Sequence, residues 1–335
     1  MKAIVLHKHG MPDGIRLEAD WPRPSPGDDE VAVKVRAASI NRHDLFTVDG
    51  MPGITLPLPI VLGSDFAGEI DACGPAVTGW KPGQRVAIDP IFPDKGLMGE
   101  LVDGGFAQYC LVKASQLIAL PDSVGFDVAA ALPVAYATAH RMLFVNGEIN
   151  AGQKVLVLGA SGGVGTGCVL LAKQAGCEVI ACASSDEKLE RLKQLGADHV
   201  VNYSRTDFMK WVHQTYGKPR RRSDIGGVDV VVNFTGGDET WTRSLRSLKA
   251  GGKILTCGAT AGYDPKEDLR YVFMHELRII GSNAWRKADI ESLLRMCADG
   301  RLSPVIDKRL PLEQTVEGLR MMRERESFGK VVIEI

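Results

Sequence analysis

The spacing of hydrophobic and polar positions changes character along the chain. In the first 120 residues, short runs rich in Val and Ile (residues 2–6, 30–38, 68–72, 85–88 and 107–112) are separated by Pro and Gly turns and read as strands. Residues 21–27 form a Pro-rich connection, and Trp80-Lys81-Pro82-Gly83 signals a tight turn before a strand. From about residue 123 the pattern turns to alanine-rich helical stretches, 126–132 and 135–144, split at Pro133. Beyond them, segments that read as strands at 154–158, 178–183, 199–202, 228–234, 253–257 and 277–281 alternate with helical patterns at 163–175, 187–195, 206–215 and 239–248. Six strands with intervening helices predict an α/β unit with a doubly wound parallel sheet. The tail returns to helix at 287–298 and 312–325 and ends in a strand at 330–335.

At 335 residues the chain is long enough for two domains. We place a β-rich domain at 1–123, completed by 286–335, around an α/β domain at 124–285. Forty Lys and Arg against 41 Asp and Glu give a net charge of -1, so no global field draws the chain to nucleic acid or an anionic membrane. The seven cysteines include no C-x-x-C pair, which points to reduced thiols in a cytoplasmic protein and away from a disulfide framework or thiolate zinc site. The apolar run near the start spans four residues, too short for a signal peptide. The longest uncharged run, 155–172, holds five glycines and does not read as a membrane span.

Those glycines carry the strongest motif: Lys154-Val155-Leu156-Val157-Leu158-Gly159-Ala160-Ser161-Gly162-Gly163-Val164-Gly165, an apolar strand entering a glycine turn and then a helix. Absent Cβ atoms permit the turn, the approach of a pyrophosphate and close helix–strand packing, and the helix N-terminus offers N–H groups to phosphate. An Asp or Glu ending the next strand would favour a free ribose, but Ser184 stands there, with Lys188 one turn on. Donors in place of a carboxylate suit a 2′-phosphate and so NADPH (NADP). Ser184 with Glu187 also fits a helix capping box, and Lys188 fits a solvated helix face.

The whole chain resembles medium-chain dehydrogenases/reductases of the quinone-oxidoreductase kind. The resemblance rests on Asn41-x-x-Asp44, Leu62-Gly63-Ser64-Asp65-Phe66-Ala67-Gly68, residues 132–139, the glycine loop, Leu195-Gly196-Ala197-Asp198, Val201-Asn202-Tyr203, Gly251-Gly252-Lys253 and Phe328-Gly329-Lys330-Val331-Val332. It implies a GroES-like β-barrel catalytic domain built from both chain ends, a Rossmann domain between them, an active site in the cleft, and homodimers or homotetramers formed through the last Rossmann strand. It implies cofactor contacts at Asn41, Thr138, Gly162, Gly163, Val164, Ser184, Lys188 and Tyr203, with Gly258, Ser282, Asn283 and Lys330 as further candidates.

Zinc-dependent relatives place Cys where this chain has Asn41, and Gly-His-Glu where it has Gly63-Ser64-Asp65, so we expect no metal. His43 reads as a loop or cleft-wall residue. Without a Lewis acid, the expected acceptor is a small electrophile that delocalises the incoming charge itself, a quinone or an α,β-unsaturated carbonyl. Asn41 is the candidate to orient the nicotinamide ribose or the substrate carbonyl, and Asp44 either touches substrate or fixes the loop. Phe46 stands where related enzymes often have Tyr, which removes that phenol as a proton donor. Phe46, Phe92, Tyr136 and Trp285 are candidates for an apolar pocket wall or for core. Arg220-Arg221-Arg222 reads as a solvated loop tip or an anion contact. The expected activity is that of a zinc-independent, NADPH-dependent oxidoreductase. The alternatives are an enoyl- or acryloyl-thioester reductase and a NADPH-binding protein with little turnover.

Overall fold

The computed structural model describes all 335 residues, in two compact units: Met1–Ala137 with Arg286–Ile335, and Thr138–Trp285. The first unit therefore extends past the expected end at 123. The reason is packing: helix Phe126–Ala130 lies on strands Glu30–Ile40 and Asp65–Cys73, burying Ala129 and Ala130. The stretch from Leu132 to Ala137, which spans the expected split at Pro133 and the start of the second helical stretch, winds in wide π-helical turns.

In the first unit, Glu30–Ile40 is the central strand. It pairs antiparallel with Asp65–Cys73, Tyr109–Lys113 and the C-terminal strand Lys330–Glu334. The last pairing, Val331 opposite Ile40, ties the chain end to its beginning. Strand Ile306–Pro311, absent from the sequence reading, flanks it at the sheet edge. A small sheet of Ile15–Glu18, Ala3–Leu6 and Ile60–Val61 is separately hydrogen-bonded, with Ile4, Leu6, Val33, Ile40, Phe66, Phe106 and Val331 in one shared core. His43 and Asp44, read as loop residues, lie instead in helix Arg42–Asp49.

The second unit holds strands β1 (Lys154–Val157), β2 (Glu178–Ala183), β3 (His199–Asn202), β4 (Val228–Val232), β5 (Leu248–Thr256) and β6 (Arg278–Gly281). Helices α1 (Gly163–Gln174), α2 (Asp186–Gln194), α3 (Phe208–Tyr216), α4 (Asp238–Ser247) and α5 (Leu269–Met274) connect them. All pairings are parallel, in the order β3-β2-β1-β4-β5-β6, the Rossmann arrangement. The central strands are apolar on both faces because helices cover both, and Leu156, Ile180, Val231 and Ile254 are fully buried. The strand order reverses between β1 and β4, which marks the carboxyl ends of those strands as the place for a ligand. No helix is long and apolar enough to cross a membrane.

Candidate active site and dinucleotide site

In the first unit, the strand ends gather a buried polar centre. Gly63 lies at φ +96°, where a Cβ would stand 2.5 Å from the Phe106 ring, and this turn delivers Asp65 to the head of its strand, opposite Ser39. Asp65 is wholly buried. Its carboxylate accepts from the Val134 N–H at 3.0 Å, Asn41 Nδ2 at 2.8 Å, Ser39 Oγ at 3.4 Å and Lys330 Nζ at 3.4 Å. Lys330 opens the C-terminal strand beside Ile40, and its buried ammonium also donates to the Ile40 carbonyl at 2.9 Å and to Asn41 Oδ1. Burial pushes the Asp65 pKa up and the Lys330 pKa down, and their mutual attraction opposes both shifts.

Lys330, expected among the cofactor contacts, is instead enclosed: its three protons are spent on Ile40, Asn41 and Asp65. The amide of Asn41 is likewise engaged at both ends, toward Asp65 and Lys330. Asp44 is 1% exposed and accepts the Asn41 N–H at 2.7 Å, closing the first turn of helix Arg42–Asp49. Of the two roles open to Asp44, the geometry matches fixing the loop. Burial raises its pKa to about 6, against the pull of the Asn41 N–H.

No group of three or more His, Cys, Asp or Glu side chains could hold a metal ion. Where zinc enzymes supply ligands, this centre presents an amide, the Ser64 hydroxyl and a carboxylate already answered by an ammonium. That donor set does not fit zinc.

In the first turn of the same helix, His43 Nε2 lies 2.8 Å from Glu100 Oε1. Glu100 is 5% exposed, whereas the His43 side chain keeps 29% of its surface. Desolvation lowers the His43 pKa, but the hydrogen bond and charge of Glu100, with help from Asp44, raise it overall. The Phe46 ring packs edge-on to His43 with centroids 6.3 Å apart. Sequence reading missed Glu100 entirely, because nothing local marks a partner 57 residues away.

Of the four candidates for a pocket wall or for core, Phe92, Tyr136 and Trp285 are buried. Tyr136 is fully buried, and its hydroxyl accepts the Val305 N–H at 2.8 Å, joining two segments of the first unit. Phe92 lines a groove of about 360 Å³ with Trp21, Pro57, Pro59 and Tyr109, which contains none of Phe46, Tyr136 or Trp285. Trp285 is buried at the end of the second unit.

In the second unit, the glycine loop follows β1. Gly159 turns at φ +66° beneath the Phe234 ring, and a Cβ on Gly165 would stand 2.3 Å from the Gly159 carbonyl oxygen, so helix α1 can approach the strand only with glycine there. A Cβ on Gly162 would meet only that same oxygen, at 3.7 Å. The space over exposed Gly162 is open to a ligand's phosphate, and the first N–H groups of α1 lie just beyond it. Gly163 and Val164, half-buried, begin the helix. Asn233, buried at the end of β4 and missed by sequence reading, accepts from Thr235 and Gly236 and donates to Ser244, shaping the adjoining loop. Ser161 and Gly162 thus face the strand-order reversal. The loop fits a dinucleotide's phosphates.

At the neighbouring strand ends, Tyr203 N–H donates to the Ala183 carbonyl at 3.1 Å, which sets exposed Ser184 and Tyr203 side by side. Helix α2 is capped by Ser185, whose Oγ accepts from the Lys188 N–H, and not by Ser184 as the capping-box alternative required. The Ser184 hydroxyl is thereby left out of the cap. Asp186 is turned toward Asn202 Nδ2 at 2.8 Å and Arg205. Thr138 is buried, Gly258 and Asn283 are exposed, and the Ser282 hydroxyl accepts from Asn146 Nδ2 at 2.9 Å. Arg220, Arg221 and Arg222 sit exposed on the α3–β4 loop, at the amino ends of the strands, opposite the glycine loop.

Comparison with known proteins agrees with this anatomy. Residues 27–122 match the family model for an alcohol dehydrogenase GroES-like domain, and residues 163–299 match that for a zinc-binding dehydrogenase. The chain is 30% identical to an acryloyl-coenzyme A reductase of Sulfurisphaera tokodaii, covering 100% of both chains. It is 28% identical to a quinone oxidoreductase of Rattus norvegicus, over 99% of this chain and 97% of that one. Among solved structures, an NAD-dependent alcohol dehydrogenase superposes with a TM-score of 0.91 at 36% identity, covering 100% of both chains. With a GroES-like unit, a Rossmann sheet and relatives matched end to end, the chain belongs to the medium-chain dehydrogenase/reductase superfamily of oxidoreductases.

Proposed function

We propose that this protein is a zinc-independent, NADPH-dependent reductase of activated acceptors, either α,β-unsaturated carbonyl compounds (thioesters included) or quinones. The observation that carries the reading is the buried Asn41–Asp65–Lys330 centre. A Lys ammonium holds the carboxylate there, and no ligand set for a Lewis acid remains. An unactivated ketone would lack help with its alkoxide, whereas a conjugated acceptor spreads the charge onto its own oxygen. The similarity to an acryloyl-coenzyme A reductase and to a quinone oxidoreductase supports the acceptor class.

The dinucleotide, when bound, supplies the hydride. Gly162, Gly163, Val164 and the first turn of α1 hold its phosphates. Ser184, Lys188 and Tyr203 take the 2′-phosphate, with Thr138, Gly258 and Asn283 as further contacts. Asn41 and Asp44 brace helix Arg42–Asp49. The Ser185 cap favours NADPH over NADH because it leaves the Ser184 hydroxyl to the ligand. We further propose a homo-oligomer joined along β6, whose outer edge pairs with no strand of this chain.

The test is nucleotide oxidation, NADPH and NADH in parallel, against ortho-quinones, short enones and enals, and one enoyl-coenzyme A. Turnover at least about tenfold better with NADPH is expected, matching one charge-assisted hydrogen bond. A preference for NADH overturns the cofactor assignment. Activity that requires stoichiometric zinc overturns the metal-free reading. Tight NADPH binding without turnover of any acceptor overturns the reductase itself.

A further inference from the structure

His43 has a combination of features that no structural role in the helix requires. Its Nε2 is fixed by a buried carboxylate at 2.8 Å, while the ring keeps 29% of its surface and its Nδ1 makes no hydrogen bond. A carboxylate on one nitrogen selects the tautomer with the proton on Nε2, so the second proton of the imidazolium resides on Nδ1, toward the unbonded side. The charged groups facing the ring are Glu100, from the loop after the Gly96–Leu97 strand, and Asp44, on its own helix. Asp65 and Lys330 act on Asp44 behind it. Both carboxylates favour the imidazolium, and they outweigh the desolvation that opposes it. The ring sits two residues from Asn41, in the helix anchored on the buried centre, where backbone motion is restrained by the Asp44 cap.

We propose that His43 is the general acid of the reductase, delivering its Nδ1 proton to the α-carbon of the reduced acceptor, with Glu100 as the positioning residue that keeps the imidazole charged and oriented. The inference rests on the reductase reading above and applies to its conjugated carbonyl substrates. Bound NADPH would supply the hydride at the β-carbon and leave as NADP⁺; the carbon–carbon π pair would then move to the carbonyl oxygen as an enolate. The enolate pair then forms a C–H bond at the α-carbon with the Nδ1 proton. The N–H electron pair stays on His43, which becomes neutral and regains a proton from water at its exposed edge. Phe46 offers no phenol, and Asp44 is buried, whereas the His43 ring reaches the surface.

The experiment combines kinetics on an enone with NMR titration of the His43 ring in the protein without nucleotide. His43→Gln is expected to lower kcat by about 10²–10⁴-fold, the usual worth of a general acid, with the NADPH dissociation constant within about twofold of wild type. In the wild type, kcat falls as pH rises through the titration of His43. In Glu100→Gln, which keeps shape and loses charge, both the NMR titration and that falling limb are expected to move down by about 1–2 pH units. A His43→Gln enzyme within threefold of wild type overturns the proposal. So does a Glu100→Gln limb that does not move, which decides the matter even where His43→Gln does not fold. A wild type that binds NADPH but reduces no conjugated acceptor overturns the reductase reading and this inference with it; an active wild type with an unaffected His43→Gln overturns the proton donor alone.

Discussion

At the scale of single residues, the buried Lys330–Asp65 pair is held by geometry that neither partner could keep alone. Breaking such a pair strands a buried charge, whereas replacing both partners removes the penalty. Lys330→Met is therefore expected to destabilise the protein by about 3–5 kcal/mol in urea unfolding, and Lys330→Met with Asp65→Asn to cost less than the sum of the single changes. Asp44 gives a second test, with a definite sign. Its folded pKa of about 6 lies above the value of an exposed Asp, so the native state binds the proton more tightly than the unfolded chain does. Its contribution is fully present below about pH 4 and is lost as pH rises through about 6, on the order of 2–3 kcal/mol. Asp44→Asn, which still accepts the Asn41 N–H, is expected to flatten that part of a stability–pH curve. An unchanged slope would show that Asp44 titrates alike in the folded and the unfolded chain.

At the scale of elements, the two best-placed glycines of the β1–α1 turn serve different ends. A Cβ on Gly165 would strike the Gly159 carbonyl at 2.3 Å, a backbone clash that only separation of helix and strand relieves. Gly165→Ala is expected to cost about 3 kcal/mol of stability, at the upper end for overpacking. Gly162, with φ -83°, has room for a Cβ. Gly162→Ala should change stability by no more than about 1 kcal/mol yet weaken NADPH binding about tenfold, because the methyl fills the space of the approaching phosphate. Thermal unfolding and fluorescence titration of both variants separate the two roles. These elements were legible in the sequence because a strand buried on both faces must be a continuous apolar run, and a strand–glycine–helix junction leaves its own pattern. Helix Arg42–Asp49 was not read, although Asn41-x-x-Asp44 carries its N-terminal signature. Strand Ile306–Pro311 hid behind Lys308, Arg309 and a terminal Pro, composition that an edge strand tolerates and a central one does not.

At the scale of the whole molecule, β6 ends the parallel sheet with an open edge, and Ile279 on it is 47% exposed. On α5, Leu269 and Phe273 are four residues apart on one helix face and are 70% and 66% exposed. A bare strand edge with exposed apolar side chains is stable in solution when a second strand covers it. Ile279→Lys is expected to convert the proposed homo-oligomer to monomers in sedimentation velocity, with the fold retained by circular dichroism. A wild type that sediments as a monomer at micromolar concentration would remove the basis for assembly through β6.

The sequence by itself determined the parallel sheet, the glycine loop and the order of the two folds, because each depends on the periodicity and turn chemistry of neighbouring residues. Tertiary structure alone decided the polar centre. Lys330 reaches Asn41 across 289 residues, Glu100 meets His43 across 57, and Tyr136 joins Val305 across 169. No local pattern announces these pairs, since strand register brings the groups together and burial then sets their charge.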